Sequence, residues 1–420
     1  MVSKHRKLTI IYFIFLGVTF LTILPVILYF FGVIYIWTWY AYFYAFTIFL
    51  YLWYRFINLA YSDFKIEEYD VNLYTPFTVV IPCYNESAEL LTRCVESVVN
   101  AQGEKQIIII DDGSKNNIYE TIKLLEAKYD NISSHRFKKN MGKRHALHYA
   151  FKKIKTEFVI TIDSDTLIEK YAFAYLLAPF CDKKVGATTG NIYLLNEKRN
   201  LLTRVIAAMY LSGLNNYKKS QSVLGNVICC SGCLAAYRMN VIEKIADDFL
   251  YQKFLGYEAT HSEDRHLTNL TLEMRYKVKY VDRAICYTES PHTLKSFLKQ
   301  QQRWKRGFVR ESIYLLSHSY RTSKTLFFES IIGNALPYFM SFGIQIFIIS
   351  TIFIMPHSLL YLIPSWVIFM TIRELPMFLE DPKRSVWFYL YIPLYEVLLF
   401  WQNMWAIVTV NNKGWLTRNG

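Results

Sequence analysis

The chain has 420 residues and a formal net charge of +13, with 53% hydrophobic and 17% aromatic residues against 19% charged. That balance is too apolar for a purely soluble protein, and the positive excess points to an anionic partner: nucleic acid, anionic lipid or anionic substrate. The seven cysteines are odd in number and lack repeated Cys-x-x-Cys spacing, which argues against a disulfide framework and a zinc ribbon and for reduced thiols.

From Leu8 to Tyr54 there is no Asp, Glu, Lys, Arg or His. One bilayer crossing needs about 20 apolar residues, so residues 1–60 are expected to form a transmembrane hairpin turning near Gly32. A cleaved signal peptide would have a shorter apolar core and a small-residue cleavage site, which "LPVILYFFGVIYIW" does not supply. Lys4, Arg6, Lys7 and Arg55 flank the run. The positive-inside rule therefore predicts an integral protein of the cell membrane whose polar middle is cytoplasmic.

Residues 61–294 change character and read as an α/β domain. "FTVVIP" (Phe77 to Pro82), "QIIIID" (Gln106 to Asp111) and "EFVITID" (Glu157 to Asp163) are short apolar runs ending in turn or acidic residues, as buried parallel strands do. Helical patterns over Glu86 to Val99, over Tyr119 to Tyr129 and in "GKRHALHYAFKKI" alternate with them, so a doubly wound sheet is predicted. Ligands of such sheets bind beyond the carboxyl ends of the strands. The unusual polar residues stand there: "CYNES", "DDGS" and "DSDT".

Asp163 and Asp165, two residues apart past a strand, suit a hard divalent cation, Mg2+ or Mn2+, that keeps water and phosphate oxygens in its shell. Asp111 and Asp112 can accept hydrogen bonds from a base or ribose. Lys143 and Arg144 follow Gly142 at a helix start, a place favourable to phosphate by dipole and charge, without the spacing of a P-loop. Glu263 and Asp264 precede a helix; one carboxylate is a candidate general base for a sugar hydroxyl, and the plainer alternative is a helix cap provided by Ser262.

Residues 295–328 carry "LKQQQRWKRGFVRES" (Leu298 to Ser312), predicted to be an amphipathic interfacial helix. Arginine forks bind phosphate and an indole offers a sugar a flat apolar platform. Adjoining membrane segments displace the nucleic-acid reading. Residues 329–420 follow, with Ser330 to Ile372 uncharged apart from His357. Pro393 and Glu396 place the segment Val386 to Val410 at the interface or against protein.

Together and in this order, "PCYNE", "DDGS", "GKRHA", "DSDT", "NLLTR", "CCSGCLAAYR", "SEDRHLTN" and the Gln-x-x-Arg-Trp stretch resemble the membrane-embedded processive synthases of glycosyltransferase family 2, hyaluronan synthases most closely. The resemblance implies a GT-A-like α/β nucleotide-sugar-binding domain inserted between α-helical transmembrane segments. It implies that Tyr84, Glu86 and Asp112, with Pro82 and Asp111 in the same turns, hold the uridine, that Lys143 lies by the nucleotide, and that Asp165 carries the metal with Asp163 beside it. Asp264 would be the base with Glu263 next to it, and Arg303, Trp304 and Gln300 would face the diphosphate and the growing chain, flanked by Arg306 and Arg310. Ser231, Gly232 and Cys233 would form the acceptor-side loop, where these synthases usually have Ser-Gly-Pro. Trp415, Thr417 and Arg418 stand where they usually have Trp-Gly-Thr-Arg. The implied reaction is polymerisation of UDP-N-acetylglucosamine and UDP-glucuronic acid with secretion of the product; the alternative is a chitin-like product from UDP-N-acetylglucosamine alone. The implied partners are UDP-sugars, the growing polysaccharide and lipid, with no nucleic acid and a monomer as the expected state.

Overall fold

The computed structural model describes residue 46 and residues 49–59, 75–354 and 359–412. Most of the expected first hairpin, and Trp415, Thr417 and Arg418, lie outside the described residues.

The centre of the molecule is an eight-stranded sheet in the order β3-β2-β1-β4-β7-β6-β10-β5. Strands β1 (Phe77–Cys83), β2 (Lys105–Asp111), β3 (Ile132–Arg136) and β4 (Phe158–Thr161) run parallel. Their apolar runs are buried as the sequence predicts: Phe77, Val79, Val80, Ile81, Ile107 and Ile109 are fully shielded. Each such side chain contributes roughly 1.5–3 kcal/mol on leaving water.

The rest of the sheet corrects the expectation of uniform parallel winding. β7 (Ala235–Arg238) pairs antiparallel with both β4 and β6 (Val185–Leu194), β6 runs parallel to β10 (Lys277–Thr288), and the short β5 (Leu167–Ile168) is antiparallel to β10. "AAYR" carries no run of β-branched residues; its small, fully buried Ala235 and Ala236 let it slot between two neighbours.

Helix Ala88–Asn100 shows why the flanking elements form where they do. Ser87 caps it, its hydroxyl accepting from the Leu90 N–H at 3.2 Å, and Leu91, Cys94, Val95 and Val98 give the i, i+3, i+4, i+7 stripe that buries against the sheet.

Beyond the sheet, helix Leu294–Thr322 runs for 29 residues and is followed by helices Lys324–Ser330, Leu336–Ile354, Leu359–Glu380, Phe388–Leu394 and Phe400–Val408. Among the described residues no helix is long and apolar enough to cross a membrane. Pro393 lies inside its helix, and a π-helical turn, Tyr395–Leu399, follows at once. Glu396 there accepts from Gln345 Nε2 at 2.9 Å, so this carboxylate is satisfied against protein. Glu374 accepts from Ser212 Oγ and Asn216 Nδ2, each at 3.0 Å, and Glu329 pairs with Arg55 at 2.8 Å. The Glu374 bonds, with Gln221 Nε2 donating to Glu329 at 2.8 Å, fasten the flanking helices to the α/β domain, while the Glu396 and Arg55 bonds join flanking helices to one another.

Candidate active site

The carboxyl ends of β1, β2 and β4 carry the three acidic turns, and backbone geometry ties them together. Asn85, at φ +52°, receives the Lys115 N–H on its side chain at 2.8 Å and gives its own N–H to Ser114 Oγ at 2.8 Å. Gly113 has φ +71°, and a Cβ there would stand 2.4 Å from the Lys139 carbonyl carbon, so "DDGS" needs its glycine. Asp111 is fully buried and accepts from the Ser114 N–H at 2.9 Å. Asp112 receives the N–H groups of Met141 and Gly142 at 2.7 and 2.8 Å, which fixes the loop leading into helix Lys143–Phe151. Burial nevertheless lifts the Asp112 carboxyl to about 6. Pro82 is buried within β1, whereas Tyr84 and Glu86 are half-buried at its end, Glu86 accepting from Ser164 Oγ at 2.9 Å. The turns after β1 and β2 thus form one assembled shelf, with Asp111 as its internal brace.

Lys143 is the hub. Its ammonium reaches Asp163 at 2.5 Å and Glu263 at 3.0 Å. Burial works against that charge, but Asp163 and Glu263 together hold it well above the ordinary lysine value. Gly232 fits tightly over this pair, since a Cβ there would lie 2.6 Å from Lys143 Nζ and 3.3 Å from an Asp163 oxygen. Cys233, in place of the usual proline, points its thiol at Asp163 Oδ2 from 3.6 Å. Asp165 is half-buried beside them. Among the described residues no group of three or more His, Cys, Asp or Glu side chains converges to hold a metal by itself. Arg144, adjacent in sequence, turns away: it is buried, bonded to the Phe249 carbonyl and to Gln252 Oε1 at 2.9 Å. Its expected role toward phosphate is therefore corrected to a brace, because successive helical residues point about 100° apart.

Glu263 and Asp264 open helix Glu263–Glu273. Ser262 occupies the cap position at φ +61° and its side chain makes no capping bond, so the plainer cap reading fails. The two carboxyls are driven apart. Burial opposes ionisation of both, yet Lys143 holds Glu263 below the usual carboxylate range, while burial and the neighbouring Glu263 charge raise Asp264 above it. Divergent pairs of this kind mark acid–base assignments.

The long helix closes the cleft, and its buried face is polar: Gln301, Gln302, Lys305, Arg306, Arg310, Glu311 and Ser312 all lie inward. Glu311, fully buried, accepts from Gln252 at 2.8 Å, His266 at 3.0 Å and Asn269 at 3.3 Å, which locks helix Glu263–Glu273 in place. Gly307 lies directly against Ser262; a Cβ there would fall 1.6 Å from the Ser262 hydroxyl. Arg306 donates to Thr409 Oγ1 at 3.0 Å, and Arg310 to Glu311 at 3.1 Å and to the His261 carbonyl. Arg310 is thus corrected to a structural brace. Gln300 is half-buried with its carbonyl oxygen shielded and without a protein partner. Arg303 is half-buried, its charge felt by His261 and Tyr210, and Trp304 is 37% exposed.

Two residues that the motifs do not announce belong here. The Tyr210 ring lies 6.3 Å from that of Trp304, and its hydroxyl is raised by burial and by Cys233, Asp165 and Asp163. Lys218 donates to Ser231 Oγ at 2.6 Å. Tyr210 stands in an ordinary helical pattern and Lys218 ends a π-helical turn, Ser212–Lys218, which no sequence rule foretells.

A sheet whose strand ends gather acidic turns, a lysine hub and a base-like aspartate is the architecture of a nucleotide-sugar transferase, and residues 78–246 match Glycosyl transferase family 2. The chain is 30% identical over 352 residues, 81% of its length and 80% of the relative's, to an N-acetylglucosaminyltransferase of Rhizobium meliloti (strain 1021), and it belongs to glycosyltransferase family 2. It is 37% identical over 265 residues to the hyaluronan synthase of Streptococcus pyogenes, covering 61% of this chain and 62% of the synthase. The mannosyltransferase PcManGT from Pyrobaculum calidifontis, solved with GDP-Man and Mn2+, shares the fold at a TM-score of 0.61 and 16% identity, over 87% of this chain and 97% of that one. The protein is a glycosyltransferase with a GT-A-like α/β domain.

Proposed function

We propose that the protein is a processive, inverting β-glycosyltransferase of the cell membrane that joins N-acetylglucosamine and glucuronic acid from their UDP donors and secretes the chain. The observation that carries this reading is the packing of the segment bearing Glu263 and Asp264 on the helix bearing Arg303 and Trp304, through Ser262 against Gly307 and the His261 carbonyl on Arg310, which supports a base, a leaving-group side and a sugar platform around one cleft. The acceptor hydroxyl gives its proton to Asp264 as its oxygen bonds to the anomeric carbon, and the bond from that carbon to the UDP oxygen breaks on the opposite face. Lys143 and Arg303 face the charge that gathers on the diphosphate, and Trp304 with Tyr210 supports the acceptor ring.

Asp165 and Asp163 offer the hard oxygens a divalent cation takes. Asp163 also engages Lys143 and Cys233, and the family resemblance makes Asp165 the principal candidate ligand with Asp163 beside it. Mg2+ or Mn2+ bound there would add positive charge at the diphosphate.

The hyaluronan synthase similarity favours the two-sugar product. The longer match to N-acetylglucosaminyltransferases of Rhizobium meliloti and Bradyrhizobium diazoefficiens favours a second reading, a chitin-like product from UDP-N-acetylglucosamine alone. The test is incubation of the purified full chain in detergent with single and paired UDP-sugars plus Mg2+ or Mn2+, followed by sizing and digestion with a hyaluronan-specific lyase. Lyase-sensitive polymer that requires both donors is expected; product formed equally well without UDP-glucuronic acid selects the second reading.

A further inference from the structure

A second hollow opens on the same rim as the acidic turns. β4 and β6 run in one direction with β7 alone between them, and Thr161, Ala235 and Thr189 lie level across the three strands. Asp163 and Asn191 each stand two residues further along. At about 4.8 Å per strand, the carboxyl end of β6 therefore emerges roughly 10 Å from the turn that carries Asp163. Past that level the end of β6, helix Leu201–Leu211 and Arg384 enclose a hollow of about 270 Å³, open on one side. The carboxyl ends of strands are where α/β sheets place their ligands.

The walls narrow what would fill it. Tyr210 belongs to two sites at once: it lines this hollow, and its ring lies 6.3 Å from that of Trp304, the proposed platform for the acceptor sugar. Hollow and platform thus share a wall. The charged residues of the lining are Glu197 and Arg384, and they are matched to each other: Arg384 Nε donates to both Glu197 oxygens, at 2.9 and 3.0 Å, while its Nη1 donates to Asp381 at 3.1 Å. A phosphate or a uronate finds no spare cation there. Arg384 also stands over the Tyr193 ring at 5.0 Å and fixes it in the wall. Asn191, Tyr193 and Tyr210 bring an amide and two phenols among aliphatic side chains, a mixture that fits an uncharged, hydroxylated ring.

We propose that this hollow is a binding subsite for one uncharged sugar of the growing chain, an N-acetylhexosamine held one unit behind the sugar on the Trp304 platform. The inference rests on the acceptor reading above and deepens it. It holds for either product, since N-acetylglucosamine stands behind the acceptor at every addition in a chitin-like chain and at every second addition in the two-sugar chain. An end gripped on two successive units escapes less readily between additions than one gripped on a single ring, which is what processive transfer requires.

The experiment uses the full chain in detergent and two acceptors with the same terminal sugar, one a single unit and the other extended behind it by N-acetylglucosamine. Each is offered the UDP-sugar that the wild type adds to that terminus. In the wild type the longer acceptor should have a KM about tenfold lower. Ala207→Leu, which adds three carbons to the wall of the hollow, should bring the longer acceptor's KM to within about twofold of the shorter one's, leave the shorter acceptor's KM and kcat within about twofold of wild type, and shorten the polymer. Tyr193→Ala, which strips the wall instead of filling the space, should act in the same direction. Equal KM values for the two acceptors in the wild type, or variants that keep the longer acceptor's advantage, would overturn the proposal. So would variants that weaken both acceptors alike, which would make the hollow part of the framework. A wild type that adds one sugar and stops removes the processive reading, and the gap between acceptors still upholds the subsite; UDP release without transfer to any acceptor removes both.

Discussion

The sheet rim and the seam between helices Glu263–Glu273 and Leu294–Thr322 meet at one cleft but are held by opposite means. The rim stands on apolar strands, with its polar groups added at the ends where the chain turns. The seam is polar through its depth: His266, Asn269, Gln252 and Arg310 all bond to Glu311, which is wholly out of water. Apolar packing tolerates small changes of shape, whereas a buried ionic network fails when one member leaves. The comparison teaches that the acidic turns of the rim and the Glu263–Asp264 segment at the seam rest on supports of different fragility.

The largest effect is expected where both regions converge on the reaction. Asp264→Asn should lower turnover by about a hundredfold to ten-thousandfold, the range for a positioned base, while UDP binding at the rim persists. Isothermal titration beside UDP-release kinetics checks it, and joint loss of both would make Asp264 part of the rim's framework.

Next comes the seam itself. Glu311→Ala leaves Arg310 and His266 without their anion and should cost about 3–5 kcal/mol in an unfolding titration. Truncating Ile122, a rim-side core residue fully out of water, to Val should cost only about 0.5–1.5 kcal/mol. Equal losses would erase the contrast.

Gly307→Ala should destabilise by about 1–3 kcal/mol through overpacking and lower kcat, because the new methyl meets Ser262 beside the base. The double change Gly307→Ala with Ser262→Gly should recover both, since it removes the hydroxyl and suits a backbone at φ +61°.

The smallest effect is a pH dependence. With Asp264 raised above the usual carboxylate range, the base is protonated and idle in acid, so kcat/KM should rise with pH along a limb displaced upward from that of an ordinary carboxylate and then level. Lys143→Gln withdraws a cation that favours the carboxylate and should move this limb upward; a limb that stays put would detach the base from the hub.

How much of this was legible follows the same division. The strands ending in "CYNES", "DDGS" and "DSDT" were readable because buried parallel strands leave continuous apolar runs and their ligand ends collect charge. β7 was not, since "AAYR" earns its place only by the space between β4 and β6. Asp163, Lys143, Glu263 and Asp264 came from motif and resemblance, but neither could say that Lys143 joins three segments of chain. Arg144 was misplaced because adjacency in sequence is not adjacency in a helix. The inward polar face of "QQQRWKRGFVRES" reverses the usual meaning of an amphipathic pattern, and only the partners Gln252, His266 and Asn269 explain it. Tyr210 and Lys218 carried no local signal at all.

Ser262 and Gly307 touch with no clearance, two residues before the residue proposed to take the proton and three residues after Trp304. A joint without play transmits displacement instead of absorbing it. On the proposed processive reading, a sliding of the long helix under a lengthening polymer would carry Asp264 with it, and the proposed proton acceptor and ring platform would keep their spacing. The missing methyl of Gly307 thus acts as a bearing surface, and its closeness sets how faithfully mechanical movement and chemistry stay in step.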